Sequence, residues 1–260
     1  MKVVVKIVVL LIVADWYSLA QAGELAKVGA SGNATCSGSV YLTIDTGHME
    51  PAEEIAGILK KHDVKATFFL ANEKTKLGPM SLDPAWSAFW KARVAEGHAF
   101  GSHTWQHHYF RGDVGDKVNY VAWGAKSGQT LNQSQVCAEI RQSETAFKRM
   151  TGRSFDGIWR APGGKLTPNT IRFAEACGYK HVEWSPAGFS GDELPSEKFP
   201  SDNLIKKQLR DIKEGDILLW HLGIWSRKEP LYPKLETLIA GIKAKGLCFA
   251  RITDNPRWKK

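Results

Sequence analysis

Hydrophobic residues recur with two alternating spacings along this chain. Short apolar runs rich in β-branched and aromatic residues predict strands at 40–44, 66–70, 157–160, 180–184, 216–221 and 247–252. Apolar positions three and four residues apart predict helices at 51–61, 86–96, 130–150, 167–177, 202–212 and 231–245. Long loops are predicted at 74–86 and 109–129. Repeated strand–helix units predict one α/β domain over residues 39–260, built on a parallel sheet or barrel.

The first 22 residues follow a different pattern. Lys2 and Lys6 precede an apolar run at 7–14, and residues 20–22 form a small-residue cleavage site. This predicts a signal peptide at 1–22, an N-terminal segment at 23–38, and a secreted or periplasmic protein. The run is too short to span a bilayer, so we expect no membrane span after cleavage. Because Asp15 interrupts the segment, an uncleaved anchor is the alternative.

Composition narrows the class of protein. With 260 residues, 43% of them hydrophobic, the chain can bury a full core. Its net charge is +8, but the lysines and arginines are scattered and form no arginine-rich run. We therefore do not expect a nucleic-acid partner.

Four cysteines follow the predicted signal peptide: Cys36, Cys137, Cys177 and Cys248. In an oxidising compartment they allow two disulfides with three connectivities, and the sequence does not distinguish these. Buried thiols are the alternative. The absence of a C-x-x-C pair argues against zinc-ribbon and thioredoxin-like proteins.

Polar residues with catalytic potential stand where predicted strands end. Asp45, Arg160 and His221 each lie at or just past a strand, and parallel α/β barrels build active sites at that rim. His103 and His107 have the i, i+4 spacing that places two imidazoles on one face of a helical turn, where they can bind a divalent ion. Each residue also has a structural interpretation, as a turn former, a salt bridge or a core histidine. Together they predict a hydrolytic metal site.

Four motifs occur in a recognisable order: Thr43-Ile44-Asp45-Thr46-Gly47, His103-Thr104-x-x-His107, Arg160-x-Pro162-x-Gly164 and Leu219-Trp220-His221. In this order, over about residues 39–252, they resemble the motifs of the polysaccharide deacetylases, the NodB-like carbohydrate esterase family 4. The resemblance implies a distorted (β/α)7 barrel, the NodB homology domain. It also implies metal-assisted hydrolysis of acetyl groups, mostly the N-acetyl of GlcNAc or MurNAc units in a cell-envelope or extracellular glycan.

The resemblance also implies a role for each matching residue. Asp45 is the catalytic base, Arg160 orients it, and His221 protonates the departing amine. His103 and His107 hold the divalent metal, zinc foremost, with cobalt or nickel as alternatives. Three residues are expected to line the substrate pocket: Pro162, Leu219 and Trp220.

Thr46 departs from the family pattern, which has an aspartate there as the third metal ligand. A neutral hydroxyl is a poorer ligand than a carboxylate. Three outcomes remain open: looser binding through the histidines and water, Asp45 as a ligand, or completion of the site by His48 or Glu50. The alternative function is a protein of this fold that binds glycan without hydrolysing it, using tryptophans such as Trp225 to stack on sugar rings.

The fourth motif is also altered. Where the family commonly places aspartates beside the acidic histidine, residues 185–190 read Ser-Pro-Ala-Gly-Phe-Ser. Either His221 lacks a carboxylate partner, or Asp192 supplies one from a shifted loop.

Overall fold

The computed structural model describes residues 36–258. The predicted signal peptide at 1–22 and most of the predicted segment at 23–38 lie outside the described residues. Strands occupy β1 (Gly38–Asp45), β2 (Thr67–Leu70), β3 (Ala99–Ser102), β4 (Tyr109–Val114), β5 (Lys117–Val121), β6 (Gln129–Leu131), β7 (Ile158–Trp159), β8 (Lys180–His181), β9 (Ile217–His221) and β10 (Leu247–Ala250). Helices occupy α1 (Ala52–Lys61), α2 (Ser87–Ala95), α3 (Gln133–Thr151), α4 (Pro168–Ala176), α5 (Ser201–Asp211) and α6 (Leu235–Ala244).

Seven of these strands form one parallel sheet in the order β10-β1-β2-β3-β7-β8, with β9 also paired to β1. The segment after β8 reaches β9, because the Ser185 N–H donates to the Ile217 carbonyl at 3.0 Å and Phe189 bridges to Leu219. These contacts bring the two ends of the sheet together. The predicted distorted (β/α)7 barrel is confirmed.

The core has two apolar layers on opposite faces of the sheet. Leu42, Ile44, Leu218 and Trp220 belong to the large cluster that includes the apolar faces of α1 and α6. Alternate residues of the same strands, such as Tyr41 and Ile217, lie in a separate cluster inside the barrel. At the carboxyl-terminal ends of β1 and β9, the residues that point into the barrel are polar: Asp45 and His221.

The segment at 109–129, predicted as a loop, instead contains most of a small antiparallel sheet in the order β4-β5-β6. Phe110, Val118, Tyr120 and Leu131 turn their side chains inward and pack in a cluster with residues of α3 and α4. The helix predicted from 130 therefore begins later, after Asn132, whose side chain caps the first turn. These strands are only three to six residues long and carry exposed positions, so the sequence shows no clear alternation there.

Both cysteine pairs form disulfides. Cys36 joins Cys248 and Cys137 joins Cys177, with Cα separations of 5.7 and 5.8 Å. The first ties the start of β1 to β10, and the second ties α3 to the end of α4. Between residues 36 and 258, no helix has the length and apolar character needed to cross a membrane.

Candidate active site

The sheet brings Asp45 and His221 side by side. They are the last residues of β1 and β9, and they lie opposite each other in the register of these parallel strands. Residues in register on adjacent strands project from the same face of the sheet. An acid and an imidazole therefore meet at the carboxyl-terminal rim of the barrel.

Arg160 holds the Asp45 carboxylate. It follows β7 directly, is fully buried, and donates from Nη1 to Asp45 Oδ1 at 2.8 Å. Its Nε donates to the Val182 carbonyl at 3.2 Å, and its guanidinium lies 4.3 Å from the centre of the Phe69 ring. The other carboxylate oxygen, Asp45 Oδ2, lies 3.4 Å from His103 Nε2. One oxygen is thus fixed by the guanidinium, and the second faces the histidines.

His103 and His107 meet, although not on a helix. Their Nε2 atoms are 3.1 Å apart. The segment between them is a loop after β3, and Thr104 and His107 have positive φ values of 64° and 55°. The predicted helical turn was therefore wrong, while the expectation that the two imidazoles share one site agrees with the structure.

Glu139 holds this loop in its unusual conformation. From α3, its Oε2 accepts the backbone N–H groups of Trp105 at 3.2 Å and Gln106 at 3.0 Å, and the Tyr120 hydroxyl at 2.8 Å. These groups satisfy a carboxylate that is only 8% exposed. Sequence reasoning missed Glu139, because its helical spacing resembles that of an ordinary surface residue.

The contacts of His103 fix its tautomer. Its Nδ1–H donates to the Arg160 carbonyl at 3.0 Å. Burial, aided by the neighbouring His107, lowers the pKa of His103 well below its usual range. The ring is therefore neutral, with the Nε2 lone pair directed toward His107.

Thr46 does not face the histidines with a free hydroxyl. Its Oγ1 accepts the Ala71 N–H at 3.1 Å and donates to Glu73 Oε2 at 2.5 Å. The other carboxylate oxygen of Glu73 lies 3.4 Å from His107 Nδ1. Glu73 was not among the predicted site residues. Its place three residues after β2, near the same rim as Asp45, was the available signal.

The other two groups considered for the third ligand are engaged elsewhere. Glu50 pairs with Lys76 at 2.7 Å. The His48 ring packs edge-on against Trp225, with a centroid distance of 5.5 Å, and its Nδ1 accepts the Glu50 N–H.

The donor set fits a divalent cation through its two imidazoles. For metal–nitrogen bonds of about 2.0–2.1 Å, neighbouring ligand atoms lie roughly 3.0–3.4 Å apart, depending on the coordination geometry. The 3.1 Å between the histidine Nε2 atoms and the 3.4 Å to Asp45 Oδ2 agree with this range. Across residues 36–258, however, no three His, Cys, Asp or Glu side chains converge as a complete cation site. At the position where the family pattern has an aspartate as the third ligand, this chain has the Thr46 hydroxyl.

His221 has a carboxylate partner, which answers the question left open by the altered fourth motif. Its Nδ1–H donates to Asp192 Oδ1 at 3.0 Å, and its backbone N–H donates to Asp192 Oδ2 at 2.9 Å. Burial acts to lower the pKa of His221, but the charge and hydrogen bond of Asp192, with Asp45 and Glu193, outweigh it and raise the pKa to about 9. The imidazole is protonated at neutral pH.

The predicted substrate-pocket residues lie near this rim but differ in their surroundings. Pro162 is buried in the turn after β7, and Leu219 is buried on the same side of β9 as His221. Trp220 belongs to the helix-side core, yet it also borders a cleft of about 420 Å³ that reaches His221. Their part in substrate binding stays a prediction.

Aromatic side chains flank the same cleft. His48 and Tyr232 line it, and Trp225, which contacts His48, is 58% exposed. An exposed indole beside a polar cleft offers a flat apolar face, as sugar rings require.

Comparison with known proteins identifies relatives of this chain. The sequence model of the family described as polysaccharide deacetylase matches residues 32–182, more than half of the chain. A chitooligosaccharide deacetylase of Azorhizobium caulinodans is 27% identical over 186 residues, which cover 71% of this chain and 74% of that protein. A peptidoglycan-N-acetylglucosamine deacetylase of Bacillus cereus is 26% identical over 214 residues, covering 82% of this chain and 66% of that protein.

Solved structures share the fold. A family 4 acetyl xylan esterase from Clostridium thermocellum, in complex with a cobalt ion, has a TM-score of 0.63 at 19% identity, over 83% of this chain and 88% of that one. A pseudoenzyme of the same family from Bacillus anthracis has a TM-score of 0.62 at 22% identity, over 83% of this chain and 64% of that one.

Proposed function

We propose that this chain, which belongs to the polysaccharide deacetylase family, hydrolyses N-acetyl groups of GlcNAc or MurNAc units in a cell-envelope or extracellular glycan. One observation carries the proposal: Asp45 and His221 lie in register on adjacent strands, and each is held by its own partner of opposite charge. This pairing supports an assignment in which a carboxylate and a protonated imidazole act on the same acetyl group. Hydrolysis of an amide is accelerated by a base that activates water and an acid that protonates the departing amine.

Asp45 is assigned as the general base. It takes a proton from water while the water oxygen forms a bond to the acetyl carbon. Arg160 holds Asp45 Oδ1 at 2.8 Å, so the carboxylate is fixed in orientation during this transfer. His103 and His107 would hold a divalent ion, zinc first and cobalt or nickel as alternatives, and when bound it would polarise the acetyl carbonyl and make a nearby water more acidic.

His221 is assigned as the general acid. As the carbon–nitrogen bond breaks, its ring proton passes to the departing nitrogen, and the products are acetate and a free amine. An amine leaves poorly unless it is protonated, whereas an alcohol from an O-acetyl ester needs less help. The pKa of about 9 keeps the proton in place at neutral pH, so the site can protonate even the poorer leaving group, an amine.

Two features support an extracellular or periplasmic location. The described chain contains two disulfides, and disulfides persist mainly in oxidising compartments. The signal-peptide pattern at 1–22 points the same way. An acetylated glycan of the cell envelope is then the accessible polymer.

A second candidate function is glycan binding without hydrolysis. Thr46 favours it, because a neutral hydroxyl that donates its proton to Glu73 cannot act as an anionic metal ligand. In that case the exposed Trp225 and the cleft beside His221 would bind the sugar, and no acetate would be released.

Acetate release distinguishes the two functions. Purified protein is incubated with zinc or cobalt and an N-acetylated chitooligosaccharide, with O-acetylated xylan in a parallel reaction. We expect acetate from the chitooligosaccharide, and a loss of at least about a hundredfold in Asp45→Asn, which keeps the side-chain shape but removes the base. Bound oligosaccharide without acetate under either metal would favour the binding protein. Unchanged activity of Asp45→Asn would place the base elsewhere.

A further inference from the structure

The Thr46 side chain points a hydrogen-bond donor at a second acid. Thr46 is only 3% exposed, and its single hydroxyl proton goes to Glu73 Oε2 at 2.5 Å. Position 46 therefore provides no negative charge to the site. The carboxylate of Glu73, in the loop after β2, lies within hydrogen-bonding distance of the Thr46 hydroxyl.

The backbone around Glu73 is rigidly held. The Glu73 N–H donates to Ser81 Oγ at 2.8 Å, and the Ser81 N–H donates to the Glu73 carbonyl at 2.8 Å. The Ser81 hydroxyl in turn donates to the Ala71 carbonyl at 2.6 Å, and Ser81 is fully buried. These bonds fix the backbone of the loop after β2, and the Thr46 hydroxyl then holds the Glu73 carboxylate.

Glu73 faces the outer nitrogen of His107. Its Oε1 lies 3.4 Å from His107 Nδ1, while His107 Nε2 lies 3.1 Å from His103 Nε2. A carboxylate next to Nδ1 favours a proton on that nitrogen and leaves the Nε2 lone pair free. His103 is fixed in the matching tautomer by the Arg160 carbonyl. With both rings in these tautomers, the two Nε2 lone pairs face the 3.1 Å gap between the rings, an arrangement that a divalent cation stabilises.

We propose that Glu73 supplies, from the outer side of His107, the negative charge that Thr46 does not provide. Glu73 is a positioning residue. It orients the His107 imidazole, makes the Nε2 lone pair a stronger metal ligand, and raises the affinity of the histidine pair for a divalent cation. Carboxylates in this outer position change metal affinity by roughly 10- to 100-fold in metalloproteins. The inference rests on the metal use in the proposed function.

The test measures zinc and cobalt affinity directly, by competition with a chelator, and does not depend on turnover. Glu73→Gln keeps the shape and can still accept the Thr46 hydroxyl, and we expect it to weaken binding by about 10-fold or more. Glu50→Gln is the matched control. Glu50 is also an acid near the rim, but it pairs with Lys76 and its side chain is 55% exposed, so its removal should change affinity less than twofold.

A second variant pair tests compensation. Thr46→Asp restores a carboxylate at the third-ligand position and should tighten binding. If Glu73 compensates for Thr46, the cost of Glu73→Gln falls to about threefold or less in the T46D protein, because the two acids then serve the same purpose. Thermal unfolding of every variant without metal shows that each is folded.

The outcomes separate the two proposals. If the unaltered protein binds neither zinc nor cobalt, the metal use in the proposed function is wrong, and the inference on Glu73 falls with it. If it binds and Glu73→Gln binds equally well, only the inference is overturned. Equal costs of Glu73→Gln with and without T46D would also overturn compensation.

Discussion

Replacing Asp192 by asparagine tests the acid of the site. Asp192 accepts two hydrogen bonds from His221, at 3.0 and 2.9 Å, and is the strongest influence raising its pKa, from 6.5 to about 9. In Asp192→Asn the charge is removed while the side-chain volume is kept. Burial, which acts to lower the pKa, then dominates, so we expect the pKa of His221 to return to about 6.5 or below.

The structure sets the size of the effect on catalysis. At pH 8 about nine-tenths of His221 is protonated when its pKa is about 9, but only about 3% when it is 6.5. We therefore expect kcat/KM at pH 8 to fall at least about 30-fold, and much less at pH 6. The descending alkaline limb of the pH profile should move down by about two pH units or more.

The free energy of unfolding, like the activity, should fall as the pH rises. Because the pKa of His221 is raised in the folded state, the stabilisation is fully present below pH 6.5 and is lost as pH rises through about 9. The rise corresponds to about 3 kcal/mol of unfolding free energy. Asp192→Asn should lose this pH dependence, as measured by urea unfolding at pH 6 and pH 10.

The assay is acetate release from an N-acetylated chitooligosaccharide between pH 5 and 10, with an NMR titration of the His221 ring alongside. Glu193→Gln is the graded control, since Glu193 raises the pKa of His221 less than Asp192 does. An alkaline limb that stays in place in Asp192→Asn would refute this account, as would a ring that titrates below pH 7 in the unaltered protein.

Two further predictions concern the supports of the site. Glu139→Gln places an amide N–H₂ among three hydrogen-bond donors, so it should lower the unfolding free energy by about 1–3 kcal/mol and weaken zinc binding. Replacement of the exposed Glu175 by glutamine is the control. Unchanged zinc affinity in Glu139→Gln would mean that the loop carrying the histidines keeps its conformation without the carboxylate. Replacing both Cys137 and Cys177 by serine opens a loop with a sequence separation of 40 and should cost up to about 4 kcal/mol by the loop-entropy relation. An unchanged urea midpoint would contradict it.

The sequence predicted those site residues whose position follows from the geometry of a parallel sheet. Asp45, Arg160 and His221 follow apolar strands, and strand ends in such sheets share a rim, so their proximity could be expected. The pairing of His103 with His107 was expected for a wrong reason. A loop with positive φ angles brings them together, and its conformation depends on Glu139 in a helix that follows later in the chain.

Glu73 and Asp192 show why the remainder of the site was harder to predict from the sequence. Both lie in loops, and loop paths are set by contacts that carry no periodic signal. Glu73 is placed by the hydrogen bonds of Ser81, eight residues further on. The small β4-β5-β6 sheet was missed for a related reason: its strands are short, and one face is exposed.

The pairing of β1 has a consequence for the order of folding. Tyr41 lies opposite Ile217 and Gly38 lies opposite Leu247, so the strand that ends in Asp45 is completed by partners near the other end of the chain. Contacts between such distant segments form slowly, because a long stretch of chain must be ordered before they can contribute. A chain truncated before Ile217 would therefore keep Asp45, the histidine motif and Arg160, but it would lack His221 and both of the strands β9 and β10 that pair with β1.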